Sequence, residues 1–329
     1  MSTAFVTGAT GFVGINLVRQ LAEAGWDLHI LCRPSSQLQD LSDLDLHIHR
    51  GDITDIDSLR RAMPQAVDAV FHVAASTNVW APHNTQQTHI NVQGTANVLE
   101  VALAHKARRF IHTSTFAVWG FQHGTFDEQT PMRQDADWMN YVRTKRAAQD
   151  LVKQAHAKRG LDAVILHPAH ILGPYDRHNW SRMIRMVNEG SLPGVPPGGG
   201  VFADVRQVAA AHIQAFHKGR SGQHYLLGGQ QASYLELVAE IGRQLGRPVP
   251  RRSTPAVVLK LVALVQDYWG RMRQQEPDLT PEGAAMITQH MNCDSRRAID
   301  ELNYQQTPLA ELVRDTCEWM RSAGLLESS

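Results

Sequence analysis

Tyr141 and Lys145, in the run NYVRTK, stand four residues apart and would share one face of a helix. A tyrosine whose pKa lies near 10 is a poor acid–base group at neutral pH. An ammonium beside it favours the phenolate and brings that pKa toward the working range. Such a pair could move a proton at a carbonyl or alcohol oxygen, and the lysine could also hydrogen-bond a ribose. In FIHTSTFAVWG, three successive hydroxyls, Thr113, Ser114 and Thr115, end a strand-like run. Any of them could polarise a carbonyl while the tyrosine delivers or removes its proton. A Tyr-x-x-x-Lys match alone is more often a solvated helix face, so these residues need a partner motif.

That partner is TGATGFVG, residues 7–14. Gly8, Gly11 and Gly14 permit a tight turn, close approach of a pyrophosphate to the backbone and close helix packing. The phosphate charge would rest on free N–H groups at a helix N-terminus. The spacing is G-x-x-G-x-x-G rather than G-x-G-x-x-G, so the general dinucleotide fingerprint is not matched literally. Further on, LHILCRPSS has Cys32 where an acid would bind a ribose 2′-OH, followed by Arg33, which would accommodate a 2′-phosphate. NADP is therefore expected, preferably as NADPH; NAD is the alternative if Arg33 is only a solvated surface residue. Asp52, in GDITD, could accept from an adenine amino group, or could cap the next helix, as Thr54 or Asp55 would equally well.

These residues must be positioned by alternating strands and helices. Short apolar runs recur at Thr3–Thr7, Leu28–Cys32, Leu46–Arg50, Ala69–Ala74, Arg109–Thr113 and Ala163–Leu166. Between them, Phe12–Ala24, Asn91–His105 and Asn140–Lys158 read as helices. The pattern predicts an α/β, doubly wound parallel sheet of Rossmann type, with ligand at the strands' carboxyl ends. After Pro168 the texture changes. PAHILGPYD and SLPGVPPGGG read as loops, QHYLLGG as one further strand, and helices follow at about Tyr234–Leu245, Pro255–Gln274, Pro281–His290 and Leu309–Arg321. The expected division is a nucleotide-binding domain over 1–172, with a returning segment at about 201–229. Residues 173–200 and 230–329 would form a smaller, mainly helical substrate lobe.

Composition bounds the remaining possibilities. The 329 residues carry 32 Lys+Arg against 32 Asp+Glu, with 43% hydrophobic and 19% charged residues, ordinary values for a globular chain. The pI near 7.3 lacks the basic footprint of a nucleic-acid binder, so no nucleic-acid partner is expected. Cys32, Cys293 and Cys317 are too scattered for a disulfide framework or zinc site, and free thiols fit a reducing cytoplasm. The chain starts on an apolar run without the marks of a signal peptide. No stretch approaches the length of a membrane span. The scattered histidines, among them His47 and His49 on one strand and His212 and His217 off helical register, suggest no metal site. His72 and His112 end central strands and are assigned no chemistry. The segment Pro255–Gln274 is apolar on one side, carries Tyr268 and Trp269, and ends basic; it reads as a packed lid helix, with a membrane-interface helix as the alternative.

In this order, glycine motif, hydroxyl strand end and Tyr-x-x-x-Lys resemble the extended short-chain dehydrogenase/reductases, in the NAD-dependent epimerase/dehydratase superfamily. TGATGFVG, GDITD, FHVAAS, INVQGTANVLE, FIHTSTFAVWG, YVRTK and HPAHILGP all fall in family order, and DSRRAIDELNYQQTPLAELVRDTCEWM is similar to the family's ending. The resemblance implies Thr115 as the catalytic hydroxyl, rather than Ser114, with Tyr141 as acid/base and Lys145 as its activator and ribose ligand. It implies cofactor contacts at Thr10, Phe12, Val13, Ile53, Ala74, Ala75 and Pro168 besides those above. Asn91 matches a recurrent helix asparagine whose role is structural or functional. The chain looks most like dihydroflavonol-reductase and 3β-hydroxysteroid-dehydrogenase members, which implies reduction of a ketone or aldehyde, or the reverse. Members also pair two long helices into a bundle, so a homodimer is compatible.

Two rival readings accompany this one: a nucleotide-sugar epimerase or dehydratase with tightly held cofactor, and a non-catalytic NADP-sensing protein. Many nucleotide-sugar enzymes have an arginine just after a Gly-rich loop to hold a diphosphate. Here Val201, Phe202 and Ala203 occupy that region, and the nearest arginine is Arg206. A small, partly apolar substrate is therefore expected, with Thr77, Trp80, Phe116 and Trp180 as candidate contacts. Asn78, Val79, Trp119, Met183 and Met186 lie in the same segments, and core packing is the plain alternative for each.

Overall fold

The computed structural model describes residues 1–326. Thr3–Thr7 forms β1, buried along Ala4–Thr7 as a central parallel strand must be. Gly8 turns the chain with φ +75° into α1, Phe12–Glu23, which stops where Gly25 takes φ +73°. There follow β2 (Asp27–Cys32), β3 (His47–Arg50), α2 (Ile56–Ala62) and β4 (Ala69–His72). Next, α3 (Asn84–Thr88) runs through a π-helical stretch, His89–Gly94, into α4 (Thr95–Ala104). This one long helix begins before the expected Asn91. β5 (Arg109–Thr113) and the two-residue β6 (Thr125–Phe126) lead to α5 (Asn140–Arg159), which carries Tyr141 and Lys145 and ends at Gly160 in the left-handed region.

The rest comprises β7 (Ala163–Pro168), β8 (His170–Leu172), α6 (Trp180–Glu189), β9 (Gly199–Asp204), α7 (Val205–His217), β10 (His224–Leu227), β11 (Gln230–Ser233), α8 (Tyr234–Leu245), α9 (Ala256–Arg273), α10 (Pro281–Ile287), β12 (His290–Cys293), α11 (Arg296–Leu302) and α12 (Leu309–Ser322). α8 starts on a capping box, with Ser233 and Glu236 answering each other's backbone N–H groups.

Seven strands build the expected parallel sheet in the order β10-β7-β5-β4-β1-β2-β3. The order reverses between β1 and β4, and in such open sheets the crevice beyond the strands' carboxyl ends at this switch point is where ligands bind. Both faces are covered. Ala4 and Val6 of β1 pack under α1 and α7, while Phe5 faces α2, α4 and α5 on the other side.

Three features depart from the sequence reading. A second sheet, β11-β9-β12-β6 with β8 on β9, was not expected from sequence; of it only β11, β12 and the first two residues of β9 fall within 173–200 and 230–329, which are otherwise mainly helical. The glycines read as loop enter it: Gly199 and Gly200 lie in β9, where an added Cβ would meet Ala232 O at 2.6 Å and the His170 ring at 2.8 Å. Second, α9 is not packed on its apolar side, and of its 18 residues only Ala263 and Gly270 are buried. Third, the register of β2 on β3 sets His29 beside His47, and ligand atoms of Asp27, His29 and His47 lie within 4.8 Å of one another. That grouping sits at the strands' amino ends, away from the crevice, and was invisible while the two strands were read separately.

Candidate active site

The crevice has a cradle that only glycine fits. A Cβ on Gly14 would lie 2.0 Å from the Gly8 carbonyl oxygen, and one on Gly8 would lie 2.6 Å from the Ala74 backbone nitrogen. The Gly11 N–H closes the turn on Gly8 O at 3.0 Å. No side chain caps α1 at Gly11 and its first turn holds no acid, so its N-terminal N–H groups face the crevice without a carboxylate competitor. Thr10, Phe12 and Val13 stand half-buried around the turn; Ala74, just past β4, closes against Gly8, and half-buried Ala75 follows it. A dinucleotide's pyrophosphate fits this arrangement.

At the outer end, Cys32 is buried with its thiol directed to the His49 carbonyl, so no acid occupies the end of β2. Arg33 is exposed beyond it. The Arg50 guanidinium, which the sequence reading did not single out, braces this corner by donating to the carbonyls of Arg33 (2.9 Å) and Ser36 (3.2 Å). Asp52 uses one carboxylate oxygen to accept from the Thr54 N–H and hydroxyl. The cap of α2 belongs to Asp55, which accepts from the Asp57 N–H. Ile53 is buried, and Asn97 of α4 holds its carbonyl at 2.9 Å.

The strand-end hydroxyls separate by direction. Thr113 Oγ1 pairs with His212 Nε2 at 2.8 Å, and the Ser114 hydroxyl turns to Gln149 of α5. Thr115 accepts from the Ala117 N–H and is the hydroxyl that acts on Tyr141. Burial pushes the Tyr141 phenol above its ordinary pKa, and the Thr115 hydroxyl pulls it part of the way back. Lys145, buried, donates to the Thr113 carbonyl at 2.7 Å, and desolvation lowers its pKa to about 8. Burial dominates the phenol, and the Lys145 ammonium is anchored on the strand backbone. Pro168 ends β7, beside Leu227 of β10.

Asn91 has a structural job. Its side chain accepts from the Ser76 N–H (2.7 Å) and donates to Ser76 O and Thr144 Oγ1 (both 3.0 Å), tying the loop after β4 to α5. The π-helical stretch places it there. Such local widening is frequent at functional sites.

Just past Thr115 lies a small apolar cavity of about 20 Å³, lined by Phe116, Phe121, Met139, His170, Met286 and Met291, with Ala117 and Gly199, and Tyr141 packs against the same cluster. Of the four substrate candidates, Phe116 is the one lining it. Thr77 is exposed on the loop after β4. Trp80 is 3% exposed and donates from its indole N–H to Asp267 of α9 at 2.9 Å, so it holds the lobe rather than substrate. Trp180 packs in an aromatic group with His170, Phe202 and Tyr234, one layer behind the cavity. Trp119 is core, its N–H on Thr130 O.

His170, Met286 and Met291 escaped the sequence reading because they come from β8, α10 and β12, whose convergence no local pattern announces. His170 is kept neutral by burial, its pKa lowered to about 4. Glu282, at the start of α10, is also new. It is 6% exposed with Oε2 unpaired, and burial raises its pKa to about 7 despite Arg143 and the Asn140 N–H, which opens α5 next to Tyr141.

Comparison with known proteins agrees with this architecture. Residues 4–228 match the model of the NAD dependent epimerase/dehydratase family. A Synechocystis protein named as a dihydroflavonol 4-reductase is 30% identical, over 98% of this chain and 96% of its own. Sterol demethylase protein B of Methylococcus capsulatus is 29% identical over 98% of this chain and all of its own length. The crystal structure of gox2253 superposes with a TM-score of 0.84 at 30% identity, covering 99% of this chain and 100% of that one. The cradle, the strand-end hydroxyls and the matched span lead to one conclusion: the chain belongs to the NAD-dependent epimerase/dehydratase family and is an NAD(P)-dependent oxidoreductase of the extended short-chain dehydrogenase/reductase type.

Proposed function

We propose that the protein is an NADP-dependent carbonyl reductase, or alcohol dehydrogenase in the reverse direction, acting on a small, partly apolar ketone or aldehyde. The observation that carries this reading is the cavity beside Thr115 and Tyr141, whose lining is aromatic, thioether and neutral imidazole. A substrate diphosphate would need a cation there. Arg206, the nearest candidate by sequence, is spent on Asp204 (2.6 Å) and Asp315 (2.7 Å), which disfavours a nucleotide-sugar substrate. Exposed Arg33, with Arg50 bracing its corner, supports NADP over NAD.

Residues 1–172 with 201–229 would hold the dinucleotide, through Gly8, Gly11, Gly14, Arg33, Asp52, Ala74 and Pro168. Residues 173–200 and 230–329 would close over the substrate. When bound, the reduced nicotinamide supplies the hydride. Tyr141, protonated at neutral pH as a phenol is and held from ionising further by burial, donates its proton to the carbonyl oxygen, and Thr115 holds that oxygen by its hydroxyl. Lys145, fixed on Thr113 O, would hold the nicotinamide ribose through its remaining donors.

The test is NADPH consumption by the purified protein against apolar ketones and aldehydes, with UDP- and dTDP-sugars in parallel. Turnover of a ketone or aldehyde with stoichiometric loss of NADPH is expected. Conversion of a sugar nucleotide without net NADPH loss would replace this reading with the epimerase or dehydratase one.

A further inference from the structure

α9 buries one face and leaves the other bare. Leu259, Ala263, Gln266, Asp267 and Gly270 turn inward toward α10 and the loop of Trp80, with Gln266 accepting from the Leu279 N–H and Asp267 from the Trp80 indole. The opposite face exposes Val257 (69%), Leu261 (59%), Leu264 (59%), Val265 (58%), Tyr268 (62%) and Met272 (68%), with Val258, Val262 and Trp269 also open. At 3.6 residues per turn these nine apolar side chains fill an arc of about 160°. Lys260 and Arg271 border the arc on one side and Arg273 on the other, all exposed. Arg251 and Arg252 are exposed just before the helix. The arc itself contains no acid: Asp267 lies inward, shared by Trp80 and Arg271.

A broad apolar arc with cations along both margins and Tyr and Trp at one end is the pattern of a helix lying in a lipid interface. Among the described residues no helix is long and apolar enough to cross a membrane. We propose that α9 docks the protein in-plane on an anionic phospholipid surface. A second copy fits the same face poorly. In a two-fold antiparallel pair, Arg271 and Arg273 would meet the partner copy's Arg251 and Arg252, and the arc offers no carboxylate in reply. Lipid phosphates answer those cations directly. Because α10 packs against α9 and supplies Met286 to the cavity, docking would hold the cavity's side of the molecule near the lipid. The inference does not depend on the reaction proposed above.

The experiment is flotation of the full chain with phosphatidylcholine vesicles, with and without phosphatidylglycerol, alongside sedimentation velocity without lipid. The protein should float with the mixed vesicles, bind pure phosphatidylcholine at least about tenfold more weakly, and release as salt rises. The double substitution Leu261→Asp/Val265→Asp should abolish flotation while NADPH binding, the check on folding, is retained. Lys260→Glu/Arg273→Glu should remove the preference for anionic lipid. Absence of flotation, flotation unaffected by the double substitution, or a lipid-free dimer that the substitution splits without any vesicle binding would overturn the proposal.

Discussion

At the residue scale, the site sorts its ionisable groups by burial. Burial raises the Tyr141 phenol and lowers Lys145 to about 8, so on the proposed reading a protonated phenol is available as donor at neutral pH. Reduction should hold level through neutral pH and decline above about pH 8 as Lys145 loses its charge; a pH–rate profile that continued to rise past that point would count against the assignment. Replacing Arg33 by Asp should weaken NADPH by about ten- to a hundredfold and improve NADH, read by nucleotide fluorescence titration. Glu282 makes a stability claim. Its folded pKa of about 7 lies above the ordinary carboxyl value, so the stabilising protonated form is lost as pH rises through 7. Glu282→Gln should therefore be more stable than the parent at pH 8, by roughly 1–3 kcal/mol, and that margin should shrink below pH 6. Thermal melts at the two pH values would show it.

At the element scale, most of the first sheet could be read directly from sequence because its strands are short apolar runs, β3 (HIHR) excepted, and the crossovers through α1, α4 and α5 have a helical period. α8 was legible to the residue, since Ser233 and Glu236 write its start and Gly246 its stop. The second sheet was not. β6 has two residues, and its partner β12 lies more than 150 positions away (292 against 125), so no local pattern marks either strand. The proposed trio of Thr115, Tyr141 and Lys145 was legible because its members are tied to strand and helix ends, whereas His170, Met286 and Met291 of the cavity lining come from that unread sheet and α10. Trp80 and Trp180 failed as substrate contacts for the same reason: their types suited a pocket, but which side they faced depended on α9 and β9. The glycine cradle permits a sharp comparison. Gly14→Ala would force a Cβ to 2.0 Å from Gly8 O, whereas Gly25→Ala meets nothing within 4 Å and bears only the cost of its φ of +73°. The first should abolish nucleotide binding, and the second should cost about 1 kcal/mol of stability with binding intact.

At the scale of the whole molecule, four histidines are sealed in the interior as neutral rings. His72 bridges Thr7 and Thr95, His212 pairs with Thr113, and His112 and His167 lie in the neighbouring strands β5 and β7. Burial holds all four below the ordinary value, His72 at about 3 and His212 at about 4. A depressed folded pKa means stability that is present above about 6.5 and lost as pH falls toward the folded value. Each histidine contributes up to about 1.4 kcal/mol per pH unit. The fold should therefore lose stability steeply between pH 6.5 and 5, and a denaturation midpoint unchanged over that range would contradict the neutral interior. The bare face of α9 also belongs to this scale, since only the assembled molecule shows which side of the helix finds no partner.

The central claim is that Tyr141 protonates a carbonyl oxygen during hydride transfer in an apolar cavity. Its most direct test is the single-turnover rate of NADPH oxidation, with the best ketone or aldehyde, in the parent protein and in Tyr141→Phe. The account predicts unchanged NADPH binding and a rate lower by about a hundredfold or more in the variant. A variant that bound NADPH normally and transferred hydride at the parent rate would contradict it.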